Sequence, residues 1–251
     1  MDFPVQQSDL ISRRQEGTGE WVFESSEFKT WINGTRVTLF CPGIPGAGKT
    51  MLASIVVDYL LKMIQAEDVG IAYMYCTYRN RLEQTPIRLL ASLLKQLLQE
   101  RHFIPDGLRK LYEHHVQKST FLALDEITTF LHSEMVGYSK VFIVVDALDE
   151  CAHDDDTHEI LLSELNALQT TNPMNLMITS RHILKIEQKF QEAIRLEIRA
   201  SDADVQKYLE GHMSRLASCV TKNISLQETI KSEIVKAVDG MYVFLNLDYR
   251  I

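Results

Sequence analysis

Long runs of positive charge are missing from this sequence. It has 26 lysines and arginines against 34 aspartates and glutamates, which gives a net charge of −8. Its basic residues come in blocks no longer than pairs such as Arg13-Arg14. Because binding to a phosphodiester backbone requires clustered positive charge, we expect no nucleic-acid partner.

Long apolar runs and an amino-terminal signal are also absent. No stretch of about eighteen apolar residues, the length needed to cross a bilayer, occurs in the sequence. The first residues, Met1 to Pro4, have no basic region followed by an apolar segment. These absences predict a cytoplasmic protein with no membrane partner.

Cysteine is scarce and scattered. Cys41, Cys76, Cys151 and Cys219 occur without a C-x-x-C motif, a pattern typical of reduced thiols rather than of a disulfide framework or a zinc site. We expect all four side chains to be small buried apolar groups.

The rest of the composition is that of a folded protein. With 251 residues, of which 45% are hydrophobic and 24% charged, the chain can form one large domain, or one domain with a small attachment. Predicted strands and helices alternate along most of it, which is typical of an α/β fold with a mainly parallel sheet between helices. The predicted strands are residues 36–41, 69–76, 141–145, 175–180 and 194–198, and the clearest predicted helices are residues 51–63, 86–101 and 157–170.

A glycine-rich segment between the first predicted strand and its helix fits the pattern G-x-x-x-x-G-K-[ST]. The backbone N–H groups of such a turn form a concave surface that binds phosphate oxygens. The lysine of the pattern contacts the β- and γ-phosphates. The hydroxyl of the serine or threonine that ends the pattern binds Mg²⁺. The predicted nucleotide-binding residues are Gly43, Ile44, Pro45, Gly46, Ala47, Gly48, Lys49, Thr50 and Met51, of which Thr50 is also a predicted Mg²⁺ ligand.

An acidic cluster follows the most apolar predicted strand. Asp146 ends this strand, where doubly wound sheets bind their ligands, and is a predicted Mg²⁺ ligand. Asp149 and Glu150 are candidate catalytic residues, since either carboxylate could orient or deprotonate an attacking water. The alternative for this pair is favourable charge at a helix amino terminus.

An arginine follows the next apolar strand. Arg181 comes directly after Thr179 and Ser180 and is a candidate catalytic residue that contacts a γ-phosphate. The alternative is a surface salt bridge.

Two histidine-containing segments are not predicted to bind a metal ion. Residues 153–156 with His158 are explained by a solvated loop and an acidic helix start. His114 and His115 are expected on the surface.

With these residues, the chain resembles the NACHT family of signal-transduction ATPases with numerous domains (STAND proteins), and especially its fungal nephrocystin-like branch. Four segments support the resemblance, and one of them, residues 179–181, fits the sensor strand of the family. Residues 146–150 match the acidic signature of the family, including a small residue, Ala147, where hexameric motor ATPases have glutamate. Residues 17–21 match Gly-Thr-Gly-x-Trp, and residues 41–50 match Cys-Pro-Gly-x-Pro-Gly-x-Gly-Lys-Thr.

The resemblance implies a P-loop NTPase fold with three layers, α/β/α, followed by a short helical subdomain. We expect a flexible segment at residues 1–16, a nucleotide-binding domain at 17–200 and a partial helical domain at 201–251. The implied function is a Mg²⁺-dependent switch that binds ATP or GTP and hydrolyses it slowly or not at all. Relatives continue into a winged-helix unit and repeats, so a truncated member without these sensor regions is expected.

The sequence leaves two further functions open. A small-molecule kinase could use the same phosphate loop, and Arg79, Arg81 and Arg88 could belong to its lid. A non-catalytic interaction remnant would instead pair with full-length relatives through its nucleotide domain. The protein partners expected for the chain are further copies of itself or related NACHT proteins. The sequence does not choose between adenine and guanine.

Overall fold

A parallel β-sheet forms the centre of the computed structural model, which describes residues 2–63, 68–101, 104–151, 157–213, 218–221 and 223–238. The strands are β1 (Thr38–Pro42), β2 (Val69–Tyr75), β3 (Lys140–Asp146), β4 (Met174–Ser180) and β5 (Ile194–Arg195). The helices are α1 (Phe3–Ser12), α2 (Trp21–Glu24), α3 (Ser26–Asn33), α4 (Lys49–Met63), α5 (Pro86–Arg101), α6 (Asp106–Lys118), α7 (Leu124–Val136), α8 (Thr157–Thr171), α9 (Leu184–Glu187), α10 (Asp202–His212), α11 (Ser218–Thr221) and α12 (Ile224–Val238). Short 3₁₀ turns span Tyr78–Asn80, Leu148–Glu150 and Gln188–Phe190.

The order of the strands is β2-β3-β4-β1-β5, and all neighbours are parallel. The strand β4 therefore lies between β1 and β3, with Leu39 opposite Met177 and Ile143 opposite Leu176. Because parallel strands end at one edge of the sheet, the segments that follow β1, β4 and β3 lie side by side there. The sequence alone does not give this order.

The sheet is buried on both faces. Residues 141–146 of β3 and all residues of β4 are buried in succession, which requires cover on both sides of the strands. Helix α4 packs against β2, β3 and β4, α5 against β2, and α8 against β4. The predicted α/β fold with layered helices is confirmed.

Helix α3 is anchored to the sheet by a tryptophan. The Trp31 ring is fully buried and its centroid lies 5.1 Å from that of Phe142. Its Nε1 donates a hydrogen bond of 3.1 Å to the Leu176 carbonyl oxygen. The spacing of Phe28 and Trp31 is that of one face of a helix, and both side chains are buried.

The amino-terminal segment differs from the prediction of a flexible stretch. Residues Phe3–Ser12 form helix α1, and Phe3 is only 3% exposed, with its ring against that of Tyr75. Gln7 donates to the Ser54 carbonyl oxygen at 2.9 Å and accepts from the Tyr75 hydroxyl. The polar composition of residues 1–16 suggested a flexible segment. It was misleading because Gln7 is buried and hydrogen-bonded, and so packs where an apolar residue would be expected.

The helices after the sheet have a small core of their own. The buried residues Ala200, Val205, Leu209 and Met213 pack with Ile230, Ile234 and Val235. Residues 201–204 have the sequence pattern of a helix cap, and the Ser201 side chain accepts from Asp204 N. Residues 225–228 have the pattern of a capping box, but α12 begins at Ile224 and Asn223 accepts from Leu226 N instead. Gly240, which predicts a helix stop, lies outside the described residues.

The last predicted strand is shorter than expected. Strand β5 spans only Ile194–Arg195, although Leu196 N and Ile198 N still donate to the Phe40 and Pro42 carbonyl oxygens, at 3.0 and 2.7 Å. The chain therefore continues beside β1 as far as the phosphate loop.

Replacing Phe3 with alanine tests whether α1 belongs to the folded core. We expect Phe3→Ala to lower the free energy of unfolding by about 3 kcal/mol, because it leaves a cavity against Tyr75. Urea denaturation measures the change. Val5→Ala on the same helix, where Val5 is 64% exposed, is the matched control and should change stability by less than about 0.5 kcal/mol. Equal small effects in both variants would mean that the segment is loosely held after all.

Candidate functional site

The glycine-rich loop connects β1 to helix α4. Gly46 and Gly48 have φ angles of 76° and 89°, a conformation that residues with a side chain rarely adopt. Helix α4 begins at Lys49, and the first backbone N–H groups of a helix have no partner within it. The loop and the helix start together form a site for an anion.

The lysine of this loop lies folded onto its own backbone. Lys49 Nζ donates hydrogen bonds of 2.9 Å to the carbonyl oxygens of both Gly43 and Ile44. Burial lowers the pKa of Lys49, and the charges of Asp149 and Asp146 oppose this effect. The ammonium group is therefore positioned at the loop, within the field of two carboxylates.

Asp146 is buried at the end of β3 and is 1% exposed. The Thr179 hydroxyl donates to its Oδ1 at 2.6 Å and accepts from Ala147 N at 2.8 Å. Burial raises the pKa of Asp146 to about 6, while hydrogen bonds from the hydroxyls of Thr179 and Thr50 and the charge of Lys49 lower it. The two predicted Mg²⁺ ligands, Thr50 and Asp146, are thus in contact.

These two residues fit a magnesium ion. Mg²⁺ prefers oxygen ligands and keeps several waters, so it needs only one or two protein groups besides phosphate. The carboxylate of Asp146 is buried with a hydroxyl beside it, and burial raises its pKa, so a cation would stabilise its charged form. No group of three or more His, Cys, Asp or Glu side chains that could bind a metal by themselves occurs among the described residues.

The two candidate catalytic carboxylates have different environments. Asp149, with its side chain 1% exposed, accepts from Arg181 N at 3.0 Å and from Arg181 Nε at 2.5 Å. Glu150 is half-buried and its Oε2 accepts from Tyr78 N at 3.1 Å. Asp149 therefore positions the arginine, whereas Glu150 is the more accessible carboxylate.

The structure shows part of the alternative roles considered for Arg181, Asp149 and Glu150. Arg181 does form a salt bridge, and hydrogen bonding to Asp149 raises its pKa, but its partner is buried rather than at the surface. Asp149 and Glu150 lie in the 3₁₀ turn Leu148–Glu150, not at the start of a longer helix. This turn follows Ala147, whose φ of 54° is in the left-handed region.

A cavity of about 540 Å³ is lined by both the phosphate loop and the acidic turn. Residues 45–52 of the loop and helix form one wall, and Asp149, Glu150 and Arg181 also line the space. The remaining lining includes Gly19, Trp21, Asp204 and Tyr208. Segments far apart in the sequence therefore enclose one space.

The amino-terminal segment and helix α10 are bonded to each other beside this cavity. Gly19 N donates to the Asp204 carboxylate at 3.1 Å, and Lys207 Nζ donates to the Gly17 carbonyl oxygen at 2.7 Å. Asp204 is buried, 4% exposed. Sequence reasoning identified residues 17–21 through the resemblance but missed Asp204 and Tyr208, because helix α10 shows no motif.

A pair of cysteines was also missed. Cys76 follows β2 and Cys151 follows the turn after β3, and their Sγ atoms are 2.8 Å apart. Both are buried, as expected, and the hydrogen bond between the thiols and burial raise the pKa of Cys76. The signal in the sequence was that each cysteine follows a strand, but only the pairing of β2 with β3 brings the two together.

Several candidate residues lie away from the cavity. His115 is not simply at the surface, since its Nε2 is 3.0 Å from Glu126, whereas His114 is exposed. His158 is buried, and residues 153–156 lie outside the described residues.

The arginines considered above for a kinase lid do not line the cavity. Among the described residues, the arginines that line it are Arg13, Arg181 and Arg199, and not Arg79, Arg81 or Arg88. Within the described ranges, no helix is long and apolar enough to cross a membrane.

Comparison with known proteins identifies a family for most of the chain. The family described as nephrocystin 3, N-terminal, matches residues 17–181. The vegetative incompatibility protein HET-E-1 of Podospora anserina is 22% identical over 240 residues. That match covers 90% of this chain but only 17% of the incompatibility protein, so the chain spans a small part of that relative.

Solved structures share the fold at low identity. The Walker-type ATPase PABY2304 of Pyrococcus abyssi has a TM-score of 0.56 at 12% identity, over 91% of this chain and 65% of that one. The ORC1 protein of Aeropyrum pernix, in complex with DNA, has a TM-score of 0.56 at 15% identity, over 83% and 53%. The ORC2 protein of Aeropyrum pernix, in ADPNP-ADP complexes, has a TM-score of 0.50 at 13% identity, over 80% and 52%.

The raised pKa of Asp146 predicts a pH-dependent stability in the absence of Mg²⁺ and nucleotide. Between its ordinary value of 3.8 and about 6 the folded protein retains a proton that the unfolded chain releases, so stability falls as pH rises through this window. At pH 7.5 the ionised, buried carboxylate costs about 2 to 3 kcal/mol. Asp146→Asn should therefore raise the free energy of unfolding by this amount at pH 7.5 and change it little at pH 4.

Urea denaturation at both pH values measures this effect. Asp106→Asn removes an exposed carboxylate and is the matched control, with a change below about 1 kcal/mol. An Asp146→Asn variant that is no more stable than the parent at pH 7.5 would contradict the desolvation of this carboxylate.

Proposed function

The chain belongs to the nephrocystin 3 N-terminal family, and we propose on this basis that it is a NACHT-type switch that binds ATP or GTP with Mg²⁺ and hydrolyses it slowly. The observation that supports this most is the single cavity lined by the phosphate loop, the acidic turn and helix α10. It has room for a nucleotide, and groups of opposite charge lie beside its phosphate loop.

The phosphates bind to the loop at residues 43–51. Backbone N–H groups at the start of α4 donate hydrogen bonds to the phosphate oxygens, and Lys49 leaves the carbonyl oxygens of Gly43 and Ile44 to contact the β- and γ-phosphates. The lowered pKa of Lys49 reflects an ammonium group whose burial is not fully offset by its anionic neighbours. A triphosphate supplies further negative charge.

Thr50 and Asp146 are the residues that would hold a magnesium ion. Thr50 would contribute a hydroxyl oxygen and Asp146 a carboxylate, directly or through water. When bound, the ion would neutralise charge on the phosphates and offset the desolvation of the buried Asp146 carboxylate.

Hydrolysis uses the acidic turn and the arginine after β4. Glu150 accepts a proton from the attacking water or orients it, because this carboxylate is more accessible than Asp149. Asp149 acts as a positioning residue that holds Arg181 towards the γ-phosphate. Since Asp149 is engaged with Arg181, its own role in proton transfer is the weaker of the two.

The switch works through helix α10. A nucleotide in the cavity contacts both the phosphate loop and Asp204 or Tyr208 of this helix. Binding therefore favours the arrangement in which helix α10 lies against the cavity. Hydrolysis removes the γ-phosphate and with it part of that preference. The resemblance to NACHT proteins and the ADPNP-ADP complexes of the ORC2 neighbour support this proposal.

Partners and location follow from the same proposal. We propose further copies of the chain or related NACHT proteins as partners in the cytoplasm. The net charge of −8 argues against nucleic acid, and DNA binding belongs to the ORC1 neighbour. Adenine and guanine nucleotides share the phosphate chemistry of this site, so ATP and GTP are both substrates to be compared.

Lys49→Ala tests nucleotide binding and the switch together. We expect affinity for ATP or GTP with Mg²⁺ to fall at least about 30-fold, because the charge-assisted bonds to phosphate are lost. Calorimetry measures the affinity. Hydrogen exchange of residues 202–212 should slow on addition of nucleotide to the parent and stay unchanged in the variant.

Lys62→Ala is the matched control on the same helix, since Lys62 is exposed and pairs with Asp58 of that helix. It should bind nucleotide like the parent. Equal affinity in Lys49→Ala and the parent would disprove binding at this loop, and unchanged exchange in α10 of the parent would disprove the switch while sparing the binding site.

Glu150→Gln tests the hydrolytic role of the acidic turn. We expect turnover to fall about 100-fold with nucleotide affinity within about twofold of the parent, because a general base is lost while the shape of the side chain is kept. Phosphate release assays measure turnover. Glu83→Gln, at an exposed position, should leave it unchanged, and full activity in Glu150→Gln would remove this residue from the mechanism.

A further inference from the structure

We propose that Cys76 and Cys151 form a reversible disulfide that ties the end of β2 to the acidic turn after β3. Their Sγ atoms are 2.8 Å apart, about 0.8 Å longer than a covalent disulfide bond. Both side chains are buried, 4% and 2% exposed. Little movement of the chain is needed to bring the sulfurs to bonding distance.

The sheet explains why these two cysteines meet. In the pairing of β2 with β3, Tyr75 lies opposite Asp146, and Cys76 N continues the ladder by donating to the Asp146 carbonyl oxygen at 3.0 Å. After Asp146 the chain turns through Leu148–Glu150, and Cys151 N donates to the Leu148 carbonyl oxygen at 3.2 Å. This turn brings Cys151 back over the end of β2.

Metal binding by the pair and a bond to a different cysteine are both less well supported. A metal site would need further ligands, and no cluster of three or more suitable side chains occurs within the described part of the chain. Cys41 cannot pair with Cys76, because β1 is three strands away from β2 in the sheet. That separation is about 14 Å, about twice the largest distance between the Cα atoms of bonded cysteines.

The co-reactant is a hydroperoxide such as hydrogen peroxide. One thiol is oxidised to a sulfenic acid, while the O–O bond breaks and one water is released. The sulfur of the second thiol then displaces the sulfenic oxygen, which leaves as a second water with the remaining thiol proton. The S–S bond forms, the two sulfurs together lose two electrons, and the peroxide gains them.

The disulfide would fix a contact that already exists. Tyr78 N donates to the Glu150 carboxylate at 3.1 Å, so the segment after β2 and the acidic turn are joined by a hydrogen bond. A covalent link two residues before Tyr78 and one residue after Glu150 makes this junction permanent until it is reduced. The link requires only that the two sulfurs lie close together, and it can form whether or not the chain hydrolyses nucleotide.

The test uses the full chain without nucleotide, treated with a small excess of hydrogen peroxide, then denatured and alkylated. Mass spectrometry should show two alkylated thiols instead of four, with a peptide that links Cys76 to Cys151. Dithiothreitol should restore all four. The Tm of the oxidised protein should rise by about 5 to 10 °C, because the link closes a long loop in the unfolded chain.

Two variants complete the experiment. Cys41→Ala keeps the pair and should still form the linked peptide, whereas Cys151→Ala should form none and show no rise in Tm. If either variant fails to fold, the peptide map of the parent still decides the question. Four alkylated thiols after peroxide treatment, a link that involves Cys41 or Cys219, or oxidation to sulfinic acid at either cysteine would overturn the proposal.

Discussion

The hydrogen bond from the Thr179 hydroxyl to the buried Asp146 carboxylate is the interaction on which the site depends. Burial disfavours the charge on Asp146, and hydroxyl groups within the fold partly compensate for the water that was lost. The same Thr179 oxygen accepts from Ala147 N and thereby directs the chain into the acidic turn. One threonine of β4 thus organises the end of β3.

This contact exists only because β4 lies between β1 and β3. The position places the end of β4 next to the phosphate loop, where Gly43 N donates to the Ser180 carbonyl oxygen at 3.1 Å. On its other side, Arg181 reaches Asp149. The central strand therefore contributes a contact to each of its neighbours, and the phosphate loop and the acidic turn are held at a fixed separation.

The sequence predicts those parts of the molecule in which a local pattern decides the structure. Continuous apolar strands such as residues 141–145, and the loop that ends in Lys49 and Thr50, were found because burial on both faces and phosphate binding leave distinct residue patterns. Helix α1 was missed, since its Gln7 is buried by pairing with distant groups. Three further features were not predictable: the strand order, the Cys76–Cys151 contact and the place of Asp204 in the cavity lining. Each brings together segments that are far apart in the sequence, and no local pattern in one segment indicates its contact with the other.

The pairing of β1 has a consequence for how the chain folds. Strand β1 comes first in the sequence, yet its partners in the sheet are β4 and β5, with Thr38 opposite Leu176 and Leu39 opposite Ile194. On the ribosome the first strand must wait until residues beyond 174 have emerged before it can join the sheet, whereas β2 and β3 can pair earlier. Such non-local pairing slows folding, so we expect the phosphate loop to be among the last regions to take shape during synthesis.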